Sequence, residues 1–308
     1  MVGTNVSVPN EAGQLGGREE SRVHEGVRGS FRKLLAGERA VYPVSVHDPM
    51  SARIAHTLGH EVGIMGGSLV SAVLLAAPDV TLITLTELAE HVRRTTQAAP
   101  MSLLVDADHG YGNAINCMRT VQELEYAGAA AMTLEDTVLP RVFRQGRKLE
   151  LISTEEMVSK LRAAAAARRD PAFALVGRTS ALQACGEDEA MERIRCYVKC
   201  GIDALMVLGA KDYAQMKRIH DVAGLPLVIG YVPPACDNLE KLAQCGVRIA
   251  LRGHFSFFVA LQSLYETMGH LKAGQSPDEL KPLMASAEVR RLIFRDDEYE
   301  RWQEEFLG

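Results

Sequence analysis

The stretch Ser102-Leu103-Leu104-Val105-Asp106-Ala107-Asp108-His109-Gly110-Tyr111-Gly112 decides how this chain is read. A short apolar run ends in two carboxylates spaced i, i+2. Strand side chains alternate faces with period 2, so on a strand both acids point the same way. Two like charges converging at a strand end repel. The spacing predicts something positive between them, most simply a hard cation such as Mg²⁺, which takes oxygen ligands. A second apolar run, Ala130-Ala131-Met132-Thr133-Leu134, ends in Glu135-Asp136. Two successive strands thus bring acids toward one spot.

Working outward, eight short apolar runs alternate with stretches of helical period. The runs are Tyr42–Val46, Val62–Met65, Ser102–Asp106, Ala130–Leu134, Ala172–Val176, Ala204–Leu208, Pro226–Gly230 and Val247–Leu251. Helices are expected near 49–59, 86–98, 114–127, 154–168, 187–200, 211–223 and 237–245. Thr84 or Thr86, Asn113, and Ser153 or Thr154 stand as N-cap candidates, and Gly59, Gly128 and Gly201 as helix stops. Eight β-α units in this length predict an α/β fold, a (β/α)₈ TIM-type barrel. The rival, a doubly wound open sheet, usually carries G-x-G-x-x-G after its first strand, which is absent.

The barrel is expected over 26–272, after a flexible tail at 1–25 and a short helix carrying Phe31, Leu34 and Leu35. A C-terminal helical extension covers 273–308. Its Met284, Val289, Leu292, Ile293, Trp302 and Phe306 are surplus on a closed monomer and suggest packing on a neighbouring subunit.

Composition sets outer limits. The 308 residues are 47% hydrophobic and 24% charged, ample for a core, with net charge −5. No basic stripe with interleaved aromatics points to nucleic acid. Arg141, Arg144, Arg147 and Lys148 form a local cluster, either a solvated loop or an attractor of anions. The six cysteines form no C-x-x-C or disulfide framework, which fits a reducing compartment. No signal-peptide pattern and no membrane-length apolar run are present, so a soluble cytoplasmic protein is expected.

In a barrel, catalytic groups cluster where strands end. Those positions offer His47-Asp48, Gly66-Gly67-Ser68, Asp106 and Asp108, Glu135 and Asp136, Arg178-Thr179-Ser180, Tyr231, and Arg252-Gly253-His254. Four carboxylates with an Arg, a Tyr and a His suit an Mg²⁺ that chelates an anionic substrate. Each also has a plainer role. Asp48 before Pro49 reads as a helix N-cap. Gly66-Gly67-Ser68 is a tight turn or a backbone cradle for an oxyanion. Asp136 faces away from Glu135 if the strand persists and reads as a surface cap. Arg178 is a buried partner for the acids, a substrate ligand, or both. Tyr231 and His254 serve as core filler or as site groups.

Asp106-Ala-Asp-His-Gly-Tyr-Gly112 and Leu134-Glu-Asp136 resemble the metal-binding motifs of the isocitrate lyase/phosphoenolpyruvate mutase superfamily. Asp48-Pro-Met-Ser-Ala-Arg-Ile-Ala55, Gly66-Gly-Ser68 and Leu75-Ala-Ala-Pro-Asp79 fit it too, in order, over roughly residues 28 to 272. Tyr231 and Arg252-Gly-His254 are similar to residues of its bacterial oxaloacetate decarboxylase branch. The resemblance implies Mg²⁺ (with Mn²⁺ as substitute), an α-keto dicarboxylate substrate, and a homotetramer, a dimer of dimers, that exchanges a C-terminal helix. It implies Asp106 as the principal metal ligand, Asp108 and Glu135 on metal waters, and Asp79 as a further metal-shell or active-site acid. It gives Gly67 and Ser68 the substrate carboxylate, and brings Arg178, Tyr231 and His254 against the substrate.

The departures choose the reaction. The superfamily's carbon–carbon lyases carry a Lys-Lys-Cys-Gly-His loop after strand 4, and its phosphonate enzymes a Lys-x-Asn loop. Here the segment reads Thr137-Val-Leu-Pro-Arg-Val-Phe-Arg-Gln-Gly-Arg-Lys148, without Cys or His. Thr179-Ser180 departs as well. The expected activity is Mg²⁺-dependent decarboxylation of oxaloacetate. The alternative is a lyase or hydrolase of a substituted malate or methylisocitrate-like acid, and a third reading is a binding barrel without turnover.

Overall fold

A computed structural model describes residues 12–141 and 149–308. Of the loop expected at 137–148, residues 142–148, and with them Arg144, Arg147 and Lys148, lie outside the described residues.

Eight parallel strands follow one another around the sheet: β1 (Val44–Ser45), β2 (Val62–Met65), β3 (Ser102–Asp106), β4 (Ala131–Glu135), β5 (Ala174–Thr179), β6 (Ala204–Val207), β7 (Leu227–Ile229) and β8 (Val247–Ala250). Val41 closes the ring, its N–H donating to Arg248 O and its carbonyl accepting from Ala250 N–H. This is the expected (β/α)₈ barrel. Strands covered on both faces read as continuous apolar runs, and these do. Leu103 and Val105 face the helices, while Leu104 faces the interior with Val62, Ile64, Val176, Met206 and Ile249.

The helices around the sheet are α1 (Ala12–Ala36), α2 (Pro49–Thr57), α3 (Gly67–Leu75), α4 (Leu85–Ala98), α5 (Ala114–Tyr126), α6 (Thr154–Ala167), α7 (Ala181–Ala184), α8 (Glu187–Tyr197), α9 (Tyr213–Ala223) and α10 (Leu239–Gln244). After them come α11 (Phe255–Lys272), α12 (Ala287–Phe294) and α13 (Asp296–Leu307). The cap signals act as expected. Asp48, Thr84 and Asn113 each close a capping box, and Ser153 accepts from Glu156 N–H. Asp48 is therefore a cap.

Two expectations change. Residues 12–25, assigned to a flexible tail, belong to α1. No proline interrupts 10–42, and Gln14, Arg18, Glu19, Glu20 and Arg22 are good helix formers. The end of α1 plugs the barrel floor with Phe31, Leu34 and Leu35, joined to the interior cluster. In the extension, Ile293 is buried on the chain's own barrel, and Arg53 of α2 donates to its carbonyl at 3.1 Å. The other five surplus apolar residues stay outside the buried core.

Candidate active site

Alternation along three neighbouring strands builds the mouth. Ser102-Leu104-Asp106 on β3, Ala131-Thr133-Glu135 on β4 and Ala174-Val176-Arg178 on β5 run up the inside, so an acid, an acid and an arginine end side by side. Arg178 Nη1 donates to Asp106 Oδ2 at 2.6 Å, and its Nε lies 3.0 Å from Glu135 Oε2 without hydrogen-bond alignment. Thr133 Oγ1 donates to Asp106 Oδ1 at 2.8 Å, and Thr137 Oγ1 to Glu135 Oε2 at 3.1 Å. Burial pushes the Asp106 carboxyl up, but Arg178 and these hydrogen bonds outweigh it and hold Asp106 below the usual carboxylate range. Glu135 is shifted up, because burial exceeds the help it gets from Arg178. Burial also opposes the Arg178 charge, yet the facing acids keep it more firmly protonated than a free guanidinium.

Asp108 reaches the same place by another route. The strand has ended at Asp106, and Asp108 sits in the left-handed region with φ 46°. Its N–H points back to Asp106 Oδ1 at 3.3 Å. The two acids are neighbours through this turn rather than through strand alternation. Burial, then the charges of Asp106, Glu135 and Asp79, push the Asp108 carboxyl up to about 8. Asp79 itself is exposed on the loop after α3.

The mouth therefore holds oxygen donors and more negative charge than Arg178 neutralises, which fits a hard cation. Among the described residues no three such side chains converge into a ready-made ligand cage.

Beside the acids lies the start of α3. Its N-cap is Gly66, which provides no side-chain hydrogen bond, so the first backbone N–H groups stay open at the positive end of a helix. Glycine is needed here for space. A Cβ on Gly67 would stand 3.0 Å from Asp108 Oδ1, and one on Gly66 3.2 Å from His254 Nε2. The turn thus passes between the acid and the histidine. Ser68 follows it, half-buried. His254 Nδ1 meets Ser45 Oγ at 2.8 Å. Burial shifts His254 below the usual imidazole range, Asp106 and Asp79 oppose this, and His47 adds to it.

Not every candidate joins this group. Tyr231 is exposed and lines a cavity of about 480 Å³ with Tyr42, Ser45, Asp237, Arg252 and Phe255, which adjoins the site at Ser45. Asp136, expected as a surface cap, is fully buried. It accepts from Thr179 Oγ1 at 2.7 Å, Ser180 N–H at 3.2 Å and the Tyr197 hydroxyl at 2.9 Å. It locks β4 to β5 behind the site because α8 covers that outer face. Three site neighbours went unnoticed in the sequence: Ser45, Thr133 and Tyr111. Thr133 could have been found from its i, i+2 spacing to Glu135. Tyr111 has φ 59°, and burial, followed by Asp108, pushes its hydroxyl far up.

A barrel that gathers acids around one arginine, beside an open helix start, belongs to the class of (β/α)₈ enzymes that handle small anions at the strand ends. A family model described as phosphoenolpyruvate phosphomutase matches residues 31–272. An oxaloacetate decarboxylase of Rhodopseudomonas palustris (strain BisA53) is 45% identical over 281 residues, covering 91% of this chain and 96% of the relative. A solved phosphonopyruvate hydrolase in complex with oxalate and Mg²⁺ superposes with TM-score 0.80 at 26% identity, covering 91% of this chain and 99% of the other. An oxaloacetate acetylhydrolase bound to 3,3-difluorooxalacetate gives TM-score 0.78 at 26% identity, with 91% and 97% covered. The chain belongs to the phosphoenolpyruvate mutase family of the isocitrate lyase superfamily. It is an enzyme, of the carboxy-lyase type.

Proposed function

We propose that this enzyme decarboxylates oxaloacetate to pyruvate and CO₂ with the help of Mg²⁺, Mn²⁺ serving as substitute. The observation that carries the reading is the acid excess of Asp106, Asp108 and Glu135 facing the open start of α3. The 45% identical oxaloacetate decarboxylase supports the substrate.

Asp106 would hold the cation, with Asp108, Glu135 and the more distant Asp79 on its water shell. When bound, it supplies positive charge against the electron density that builds up on the substrate's ketone oxygen. The backbone N–H groups of Gly67 and Ser68, with the Ser68 hydroxyl, bind the C1 carboxylate. Arg178, anchored by Asp106 and Glu135, points its remaining N–H groups at the same oxygens. The C3–C4 bond breaks, CO₂ leaves, and its electron pair forms the enolate of pyruvate. His254 then delivers a proton to C3 from Nε2 through a water. Tyr231 borders the entrance on the β7–β8 side. No protein nucleophile is required, in keeping with a segment 137–148 that has neither Cys nor His.

The test is pyruvate and CO₂ release from oxaloacetate with EDTA, then with Mg²⁺ or Mn²⁺ restored. Turnover unaffected by EDTA, or no turnover, overturns the reading. Glyoxylate formed from a substituted malate would move the assignment to a carbon–carbon lyase.

The same proposal includes a homotetramer, a dimer of dimers. No residue of α11 is buried, and Phe255, Phe258, Val259, Leu261, Leu264 and Met268 lie on its exposed surface. That much apolar surface is what an exchanged helix would cover. Sedimentation equilibrium at assay concentration decides it, a monomer being the refuting result.

A further inference from the structure

We infer that Ser45 is a positioning residue that holds His254 as its Nδ1–H tautomer, leaving Nε2, the nitrogen facing the Gly66–Gly67 turn, to exchange the proton. This rests on the role given to His254 above. The argument begins with one hydroxyl proton. Ser45 Oγ lies 2.8 Å from His254 Nδ1 and 3.4 Å from the Gly253 carbonyl oxygen. A carbonyl oxygen only accepts, whereas a hydroxyl has a single proton to give and lone pairs to spare. If Ser45 donates to Gly253, its lone pair is left for Nδ1, and Nδ1 must carry hydrogen. The two partners belong to consecutive residues, the backbone of Gly253 and the ring of His254, so one serine fixes the approach and the ring together.

The place in the fold supports the assignment. Ser45 is on β1, in register with Ile64 of the interior row, and only 5% exposed. The opposite edge of the ring points to the turn, where a Cβ on Gly66 would lie 3.2 Å from Nε2. Asp106, Asp79 and His47 are the charged or titratable groups acting on the ring, and burial favours its neutral form. A neutral ring with a defined tautomer has one basic nitrogen. Here that nitrogen faces the substrate side. A proton gained from solvent at Nε2 passes to C3, and Nδ1–H stays bound to Ser45 throughout.

The test joins a spectrum to a double-mutant cycle. Histidine-selective ¹⁵N NMR of the full-length protein, with the signal assigned by its loss in His254→Ala, is expected to show hydrogen on Nδ1 and a lone pair on Nε2. Ser45→Ala should mix the two tautomers and lower kcat about tenfold with KM unchanged, the size of one lost hydrogen bond. In a His254→Ala background the same change should cost less than about twofold, since Ser45 acts through the ring. Ser45→Thr, which keeps the hydroxyl, should restore tautomer and rate. Hydrogen on Nε2 in the parent protein, or equal losses from Ser45→Ala in both backgrounds, overturns the inference. The NMR readout needs no substrate, so it stands or falls separately from oxaloacetate decarboxylation. It also decides the matter if Ser45→Ala does not fold.

Discussion

At the closed end of the barrel, Arg28 of α1 donates to Asp170 Oδ2 at 2.7 Å and to the carbonyls of Ala129 and Glu125. Arg32 and Arg168 share Asp203 at 2.5 and 2.6 Å, and Asp203 also accepts from Leu175 N–H. Asp170, Asp203 and Glu125 there each meet guanidinium or backbone donors. At the open end, Arg178 is, among the described residues, the guanidinium paired with Asp106 and Glu135, and no ion pair described there reaches Asp108. One end has its charges matched and serves stability. The other stores unfavourable charge that a ligand can relieve, which is how a site trades stability for function.

The sharpest way to break this contrast is to exchange the roles of the two arginines. Arg178→Met should lower kcat/KM about 10²–10³-fold, the range for losing a preorganised charge, while circular dichroism stays native. Arg28→Ala should instead cost about 3 kcal/mol in urea unfolding, as for a buried ion pair broken on one side, with kcat of the folded protein unchanged. Activity loss from Arg28→Ala would mean that the floor shapes the site, and the contrast would fail.

The asymmetry was half legible in the sequence. Strand count, N-caps and the acids at strands 3 and 4 depend on local period and on neighbours within a turn, which a sequence displays. The interior row that brings Arg178 between Asp106 and Glu135 depends on pairing of segments some seventy residues apart, as β3 to β5 shows. Spacing asked for a cation between the acids; the chain's own answer is this arginine, and the remaining negative charge is what a metal would meet. The helix α3 went unread because Leu69, Val70, Val73, Leu74 and Leu75 leave no polar stripe to betray a 3.6 period. Asp136 was misplaced for a related reason: facing outward from a barrel strand means facing a helix, not water.

Metal removal sharpens the comparison at the mouth. Asp108→Asn removes a carboxyl that burial and the neighbouring acids hinder from ionising. In EDTA it should raise stability by about 1 kcal/mol, the usual gain when a strained site is relaxed. It should also weaken the stabilisation expected of the parent protein from the proposed Mg²⁺. Thermal melts with EDTA and with Mg²⁺ read both. An unchanged melt in EDTA would show that the excess charge is not felt.

The smallest effect expected belongs to the floor. Burial pushes the Asp170 carboxyl up, but hydrogen bonds from Arg28 and Ala172 N–H outweigh it, and the folded carboxyl titrates below its ordinary value. The folded state then binds fewer protons than the unfolded chain between the two values. Its contribution is fully present above the unfolded carboxylate range and is lost as pH falls through the folded value. Urea midpoints from pH 7 downward should therefore fall less steeply in Arg28→Ala than in the parent, because without Arg28 much of the Asp170 shift is gone. Parallel curves for the two proteins would show that the matched floor owes its stability to packing of Phe31, Leu34 and Leu35 rather than to its ion pairs.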